Sequence, residues 1–522
     1  MSTVTELSSE PAAEAVSEQA AEAAPRARGL GPRTAVALVF GSSFAVLVVE
    51  IVALRLLAPY LGLTLETSTL VIGIALTAIA AGSWLGGRFA DQLDPRRLIG
   101  PSLGVSGAIV ALTPAALRTT AELSPDLLLL AASLAILVPG GLLSAVTPMV
   151  TKLRLTTLAQ TGTVVGRLSG VSTLGAIVGT VLTGFVLVAR LPVSGILIGL
   201  GSCLVVGAAL VEWRTRGWKG TPALALAVVA GGLATTVAPG ACDTETRYHC
   251  ARVVADPDRS GGRILVLDGV RHSYVDVDDP THLEFAYVRA IAAVVDAAFP
   301  AREPLDAHHI GGGGLTFPRY LAATRPGTHS LVSEIDGGVV GIDRDDLGLA
   351  TRGGIDVRVE DGRLGLRHLD AASRDLVVGD AFGGVSVPWH LTTAEAMAEV
   401  RRVLDDDGLY VANLIDHGAL AFARAEVATL SATFEHVAVL GEPADIGLDA
   451  TATSKGGNMI VLASDRPVDL RATQEALDAR ETGWKIATGD DLTSWIGDAR
   501  RLTDDYAPVD QLLQPYRPQT GG

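Results

Sequence analysis

Hydrophobic and polar positions follow two different patterns along this chain. From Ala35 to about residue 240, apolar residues gather in stretches of roughly 20, the length that crosses about 30 Å of hydrocarbon at about 1.5 Å rise per residue. About seven spans are expected, with six or eight also compatible, over about 35–58, 67–87, 98–116, 127–149, 162–189, 193–212 and 222–239, so that residues 35–240 predict an α-helical membrane bundle. Residues 1–34 are rich in Ala, Glu and Ser and lack an apolar run. They cannot bury enough surface to offset chain entropy, and predict a disordered tail and not a cleaved signal peptide.

After residue 240 the pattern changes to short β-rich runs separated by helical stretches. Ile264–Leu267 and Ser273–Val277 bracket Asp268-Gly269, a dipeptide suited to tight hairpin turns, and predict a small antiparallel piece within 241–305. From His308 strand, glycine turn and helix alternate, as in an α/β Rossmann-like domain over 306–515 with a parallel sheet covered by helices on both faces; 516–522 form a tail. Strands are expected at about 307–311, 329–334, 355–359, 375–379, 408–413, 433–440 and 457–463.

Composition agrees with this division. Of 522 residues 48% are hydrophobic and 19% charged, too apolar for an ordinary soluble chain of this size. Residues 1–240 carry 15 basic and 12 acidic groups of the chain's 41 and 57, which leaves 26 and 45 in the remainder. That acidic remainder would be repelled by phosphate backbones, so nucleic acid is not an expected partner. Arg26, Arg28 and Arg33, then Arg88, Arg96 and Arg97, then Lys152 and Arg154, then Arg214, Arg216 and Lys219 fall in alternate segments. Basic residues stay on the cytoplasmic side. The chain is therefore expected to be a multi-pass cell-membrane protein with its N-terminus cytoplasmic and, after seven spans, its second half extracytoplasmic. Cys242 and Cys250 would then lie in an oxidising compartment, either as a small disulfide clip or as two free thiols.

Within the bundle, Glu50 and Arg55 lie inside or near the end of the first span, with Arg55 expected to reach the far headgroups. Gly166/Gly170 and Gly175/Gly179 repeat at four residues and permit close helix approach. The stretch GGRFAD, containing Gly86, Gly87, Arg88 and Asp91, reads as a short turn that resembles loops of major-facilitator transporters.

In the second half the unusual residues fall at strand ends, where ligands bind in sheets of this kind. The first strand ends in Gly311-Gly312-Gly313-Gly314, which lets backbone come close to a ligand. The second ends at Glu334-Ile335-Asp336, with a carboxylate 20 residues after Gly314 that can accept hydrogen bonds from ribose hydroxyls. Glu360-Asp361-Gly362 follows the third strand, and Asp380-Ala381-Phe382-Gly383 the fourth. Each has a plainer reading, since Asp336 or Glu334 and Asp380 could cap a helix or loop and Asp361-Gly362 could be an ordinary turn. The adjacent His308 and His309 lack a metal-helix spacing, and no metal is expected.

The stretches YHCARV (248–253), ILVLDGV (264–270), HIGGGG (309–314), VSEID (332–336), VEDGR (359–363), VVGDAF (377–382), HLTT (390–393), GLYVANL (408–414) and LTDDYAPVD (502–510) resemble, in this order, the spermidine synthase (aminopropyltransferase) family, in the bacterial form fused to a multi-span membrane region. The resemblance implies a class I methyltransferase-like fold and transfer of an aminopropyl group from decarboxylated S-adenosylmethionine, or a related adenosyl nucleoside, to a small amine. It further implies that Gly311, Gly312 and Gly313, with Gly362, line the nucleoside site, that Glu334 holds the ribose, that Asp361 contacts the adenine amine, and that Asp380 is the catalytic acid. The family's Asp after the three glycines is here Gly314, and its second catalytic-loop Asp is Gly383. His249 replaces a glutamine, and Val288-Arg289 an acidic pair. These departures imply an atypical polyamine pocket. Two other functions stay open: a small-solute transporter or binding protein with a non-catalytic synthase-like domain, and an S-adenosylmethionine-dependent methyltransferase. The bilayer is the partner common to all three.

Overall fold

The computed structural model describes residues 30–61, 65–124, 127–155, 157, 160–216, 242–349, 353–383 and 386–513. Among them six helices are long and apolar enough to cross a membrane: Pro32–Leu57, Thr67–Gln92, Arg96–Ala121, Leu128–Arg154, Thr161–Leu187 and Val193–Arg214. These coincide with the first six expected spans; the seventh, at 222–239, lies outside the described residues, as does most of the N-terminal tail. The GGRFAD stretch is not a turn. Its residues continue the second helix to Gln92, because nothing between Gly86 and Asp91 interrupts the helical backbone.

Small residues pair the spans. A Cβ on Gly175 would lie 2.4 Å from the Phe40 carbonyl oxygen and one on Gly179 2.7 Å from that of Phe44, so the fifth span packs backbone to backbone on the first. Gly166 and Gly170, one and two turns earlier, meet nothing within 4 Å and do not share that contact. Gly82 and Gly86 of the second span press on Gly141 and Ala145 of the fourth. Gly107 and Gly201 bring the third and sixth together.

The soluble half opens with a four-stranded antiparallel sheet in the order β1 (Thr244–Glu245), β2 (Cys250–Ala255), β3 (Gly262–Leu267), β4 (Val270–Asp276). Asp268 and Gly269 both have positive φ, 52° and 81°, the backbone required of a two-residue hairpin whose twist matches its strands. Cys242 and Cys250 form a disulfide with Cα atoms 5.3 Å apart.

The main sheet contains β5 (Asp306–Ile310), β6 (His329–Glu334), β7 (Ile355–Val359), β8 (Arg374–Gly379), β9 (Leu404–His417), β10 (His436–Gly441), β11 (Gly456–Ser464) and β12 (Lys485–Ala487). Their spatial order is β12-β10-β11-β9-β8-β5-β6-β7. Side chains alternate between two cores: Leu376 and Val378 enter one face and Val377 the other, as period-two geometry demands of a sheet buried on both sides. The expected all-parallel sheet holds only from β5 to β9. β11 runs antiparallel to both β9 and β10, and β12 antiparallel to β10, which makes the sheet mixed. β10 and β11 follow each other with no helix between them, and antiparallel neighbours need no crossover helix.

The two halves meet through hydrogen bonds. Glu245 of β1 accepts from the Val193 amide (2.5 Å) and the Ser194 hydroxyl (3.2 Å) at the start of the sixth span, and pairs with Arg118 (3.5 Å) near the end of the third. Arg55, at the end of the first span, donates to the Thr246 carbonyl (2.9 Å). Arg55 therefore binds the soluble domain and does not turn to headgroups. All these contacts lie at the helix ends opposite Arg88, Arg96, Lys152 and Arg154.

Candidate functional site

The order of strands reverses between β5 and β8, the position at which an open α/β sheet splits its loops apart and leaves a crevice. The glycine turn lies on one side. Gly311 has φ +102°, and a Cβ there would sit 2.1 Å from the Asp380 carbonyl oxygen, so only glycine allows the turn after β5 to touch the turn after β8. The Gly312 amide donates to Glu334 Oε2 (2.7 Å), and the Asp336 amide to its Oε1 (2.8 Å). Burial raises the Glu334 carboxyl above its ordinary value, and these two amides oppose that rise. The Gly314 amide donates to the buried Asp343 (2.9 Å), whose carboxyl burial pushes up to about 8.

Asp336 does not enter the crevice. It caps the helix Gly337–Asp345 through the Gly338 amide and receives Thr246 Oγ1 and the Tyr248 amide, which ties β6 to the segment after β1. Asp361 caps the helix Gly362–Arg367 with two amides and also binds His390 Nε2 (2.7 Å). Burial works to raise its pKa, but the Leu364 amide and His390 outweigh it and hold the carboxyl below the ordinary value. A Cβ on Gly362 would lie 2.4 Å from Ile310 Cγ2, so this glycine serves the packing of helix against β5. Gly311, Gly312, Gly313, Glu334 and Asp380 are thus brought together, whereas Asp361 faces its own helix and His390.

Asp380 occupies the junction of two cavities. A small one of about 40 Å³ is lined by Gly311, Gly312, Gly313, His272, Tyr287 and Asp380. A larger one of about 500 Å³ opens on the other side, walled by Phe285, Tyr287, Phe382 and Trp484 and carrying Glu284, Glu442 and Asp445 besides Asp380. Asn413 Nδ2 donates to Asp380 Oδ1 (2.9 Å), Asn458 Nδ2 in turn donates to Asn413 Oδ1 (2.9 Å), and the Tyr287 hydroxyl donates to Asp380 Oδ2 (3.3 Å). Burial drives the Asp380 carboxyl up to about 6 against these two donors. Such a group is mostly ionised at neutral pH yet close enough to it to take a proton.

His249, where the resemblance implies a glutamine, pairs through Nδ1 with Asp268 Oδ2 (2.7 Å). Burial works to lower its pKa, but Asp268, and beyond it Asp336 and Glu334, hold the imidazole above its ordinary value. His272, beside Gly313, is pushed by burial down to about 4 and is neutral. Among the described residues no group of three or more His, Cys, Asp or Glu side chains could hold a metal ion.

Sequence reasoning missed Tyr287, Asn413, Glu284, Glu442 and Asp445. One signal was available: β10 is parallel to β9 because β11 reverses between them, so its end lies on the same edge of the sheet, and Glu442 follows it directly. The strand-end rule, extended to the strand expected at 433–440, reaches Glu442.

No family model matches the chain. A polyamine aminopropyltransferase of Vibrio vulnificus is 26% identical over 259 residues, covering 47% of this chain and 81% of that protein. Another of Chromobacterium violaceum is 27% identical over 141 residues, covering 27% of this chain and 53% of the relative. A solved structure described as a probable spermidine synthase from Corynebacterium glutamicum is 29% identical at a TM-score of 0.46, covering 50% of this chain and 95% of that one.

Proposed function

We propose that the second half of the chain, which is similar to polyamine aminopropyltransferases over 259 residues, transfers an aminopropyl group from decarboxylated S-adenosylmethionine to an amine held over Asp380. The observation that carries this reading is the position of Asp380 between the glycine-turn cavity and the acidic cavity of about 500 Å³. An ammonium has no lone pair, so the acceptor must give up a proton before or during attack. The freed lone pair forms the new C–N bond at the aminopropyl carbon next to sulfur, the C–S bond breaks, its electron pair stays on sulfur as a thioether, and the proton passes to Asp380. The donor's nucleoside would lie along Gly311–Gly313 with Glu334 at its ribose and Asp361 toward its base.

Glu284, Glu442 and Asp445 supply the acidic surroundings that a cationic acceptor needs when it leaves water. They supply them from other positions than Gly314 and Gly383, and this is what makes the polyamine pocket atypical. The placement of the soluble half at the helix ends away from the basic loops supports an extracytoplasmic site. A reporter fused after Gly522 that works only outside the cytoplasm should be active; activity of a cytoplasm-only reporter would reverse the sidedness.

Calorimetry on the full-length protein in lipid nanodiscs tests the chemistry. Methylthioadenosine and decarboxylated S-adenosylmethionine should both bind, and the second should turn over with a diamine. Binding of S-adenosylmethionine alone would shift the reading to methyl transfer, and binding of none would end both.

A further inference from the structure

A cavity of about 680 Å³ lies in the membrane half, between the first and fifth spans on one side and the second and fourth on the other. Each of those pairs is closed by glycines, so the space is a gap between two tightly packed units and not a defect inside one. Its wall carries hydroxyls from all four spans: Ser43, Ser83, Thr147, Thr151, Ser172 and Thr173. Ser43 and Ser172 hydrogen-bond each other (2.7 Å) midway along their helices, which places polar groups near the centre of the bilayer. Asp91 and Lys152 form an ion pair at the other end, with side chains 73% and 45% exposed, and so mark the mouth. Thr151 and Thr173 donate to the Thr147 (2.8 Å) and Ser169 (3.1 Å) carbonyls of their own helices, which leaves acceptor lone pairs on their oxygens.

We propose that this cavity is a binding site for a neutral, hydroxyl-rich small molecule of nucleoside or sugar size. The volume falls in the range of small-molecule sites, about 300–1,000 Å³. Among the described residues the only lining charges, Asp91 and Lys152, neutralise each other, so those residues offer no surplus carboxylate for a polyamine and no surplus cation for an anion. Hydroxyls act as both donor and acceptor, which suits a ligand bearing hydroxyls of its own. Val46, Leu47, Ile79 and Val165 add apolar surface for the flat side of a ring.

The site does not depend on the transfer reaction, and equilibrium binding to the full-length protein in nanodiscs tests it with adenosine, sucrose and spermidine as probes. Saturable binding of adenosine or of sucrose is expected, weakened at least tenfold in the isosteric double variant Thr147→Val/Thr151→Val. Which of the two binds identifies the source as nucleoside or saccharide. Adenosine held only by the soluble half is recognised because these substitutions leave it unchanged, and with sucrose also unbound that result overturns the proposal. So does spermidine binding in preference to both, or no binding of either neutral probe. Should the double variant not fold, Ser172→Ala removes the midplane hydroxyl pair and is expected to weaken binding in the same direction; an unchanged affinity there counts against the site.

Discussion

On the two sides of Asp380 the sheet edge is built from different material. Toward β5 and β6 the crevice is made of backbone: Gly311 touches the Asp380 carbonyl, and the Gly312 amide occupies Glu334. Toward β9, β11 and β10 it is made of side chains, with Asn458, Asn413 and Tyr287 leading to Asp380 and Glu284 and Glu442 around a space more than ten times larger. Parallel strands and their crossover helices bring turns close together, whereas the antiparallel strand β11 presents its beginning, Gly456-Gly457-Asn458, at the edge where its neighbours end. In the proposed reaction this difference puts a donor recognised by shape on one side and an acceptor recognised by charge on the other, with a single carboxylate shared between them.

The largest test of this comparison removes the shared group. Asp380→Asn should lower kcat by about 10²–10⁴, the usual contribution of a positioned base, while methylthioadenosine affinity changes less than about twofold. Unchanged turnover would remove Asp380 from the mechanism. Next, Glu284→Gln combined with Glu442→Gln should raise the acceptor KM by roughly tenfold, the effect of about 1.4 kcal/mol, and leave the donor KM alone. A matching rise for the donor would erase the distinction between the two sides.

A smaller effect is expected from the membrane. Arg55 binds the Thr246 carbonyl, Thr246 binds Asp336, and the Asp336 amide binds Glu334, so the first span reaches the glycine turn through a continuous chain. Arg55→Ala should raise the donor KM by about three- to fivefold at constant kcat, with Arg55→Lys partly restoring it; this corresponds to roughly 0.7–1 kcal/mol, the worth of one hydrogen bond. Equal KM values in all three proteins would confine Arg55 to anchoring. Finally, activity should rise with pH through about 6 as Asp380 loses its proton. Asn413→Ala removes a donor that stabilises the ionised form, so the acid limb of the profile should move to higher pH, whereas a shift to lower pH would contradict the hydrogen bond.

Much of this protein was written in local patterns. The six described spans, the hairpin at Asp268-Gly269 and the strands from β5 to β9 each follow from periodicity and turn residues over a few tens of positions. The glycine turn was legible for the same reason, because glycine run and acid sit at neighbouring strand ends. At Asp361 the pattern leaves two readings, because a carboxylate after a strand is also the natural helix cap, and here two amides and His390 bind it.

Side-chain pattern alone determined that the chain is a membrane bundle followed by an α/β domain, since hydrophobic length and alternation are properties of consecutive residues. Only the tertiary structure decided what meets across distance: Glu245 with the Val193 amide, Asn413 and Tyr287 on Asp380, Glu442 beside Glu284, and hydroxyls of four spans around one cavity. The reason is physical. Burial and strand direction bring together groups tens to hundreds of positions apart, and their charge and pKa depend on that company rather than on their neighbours along the chain.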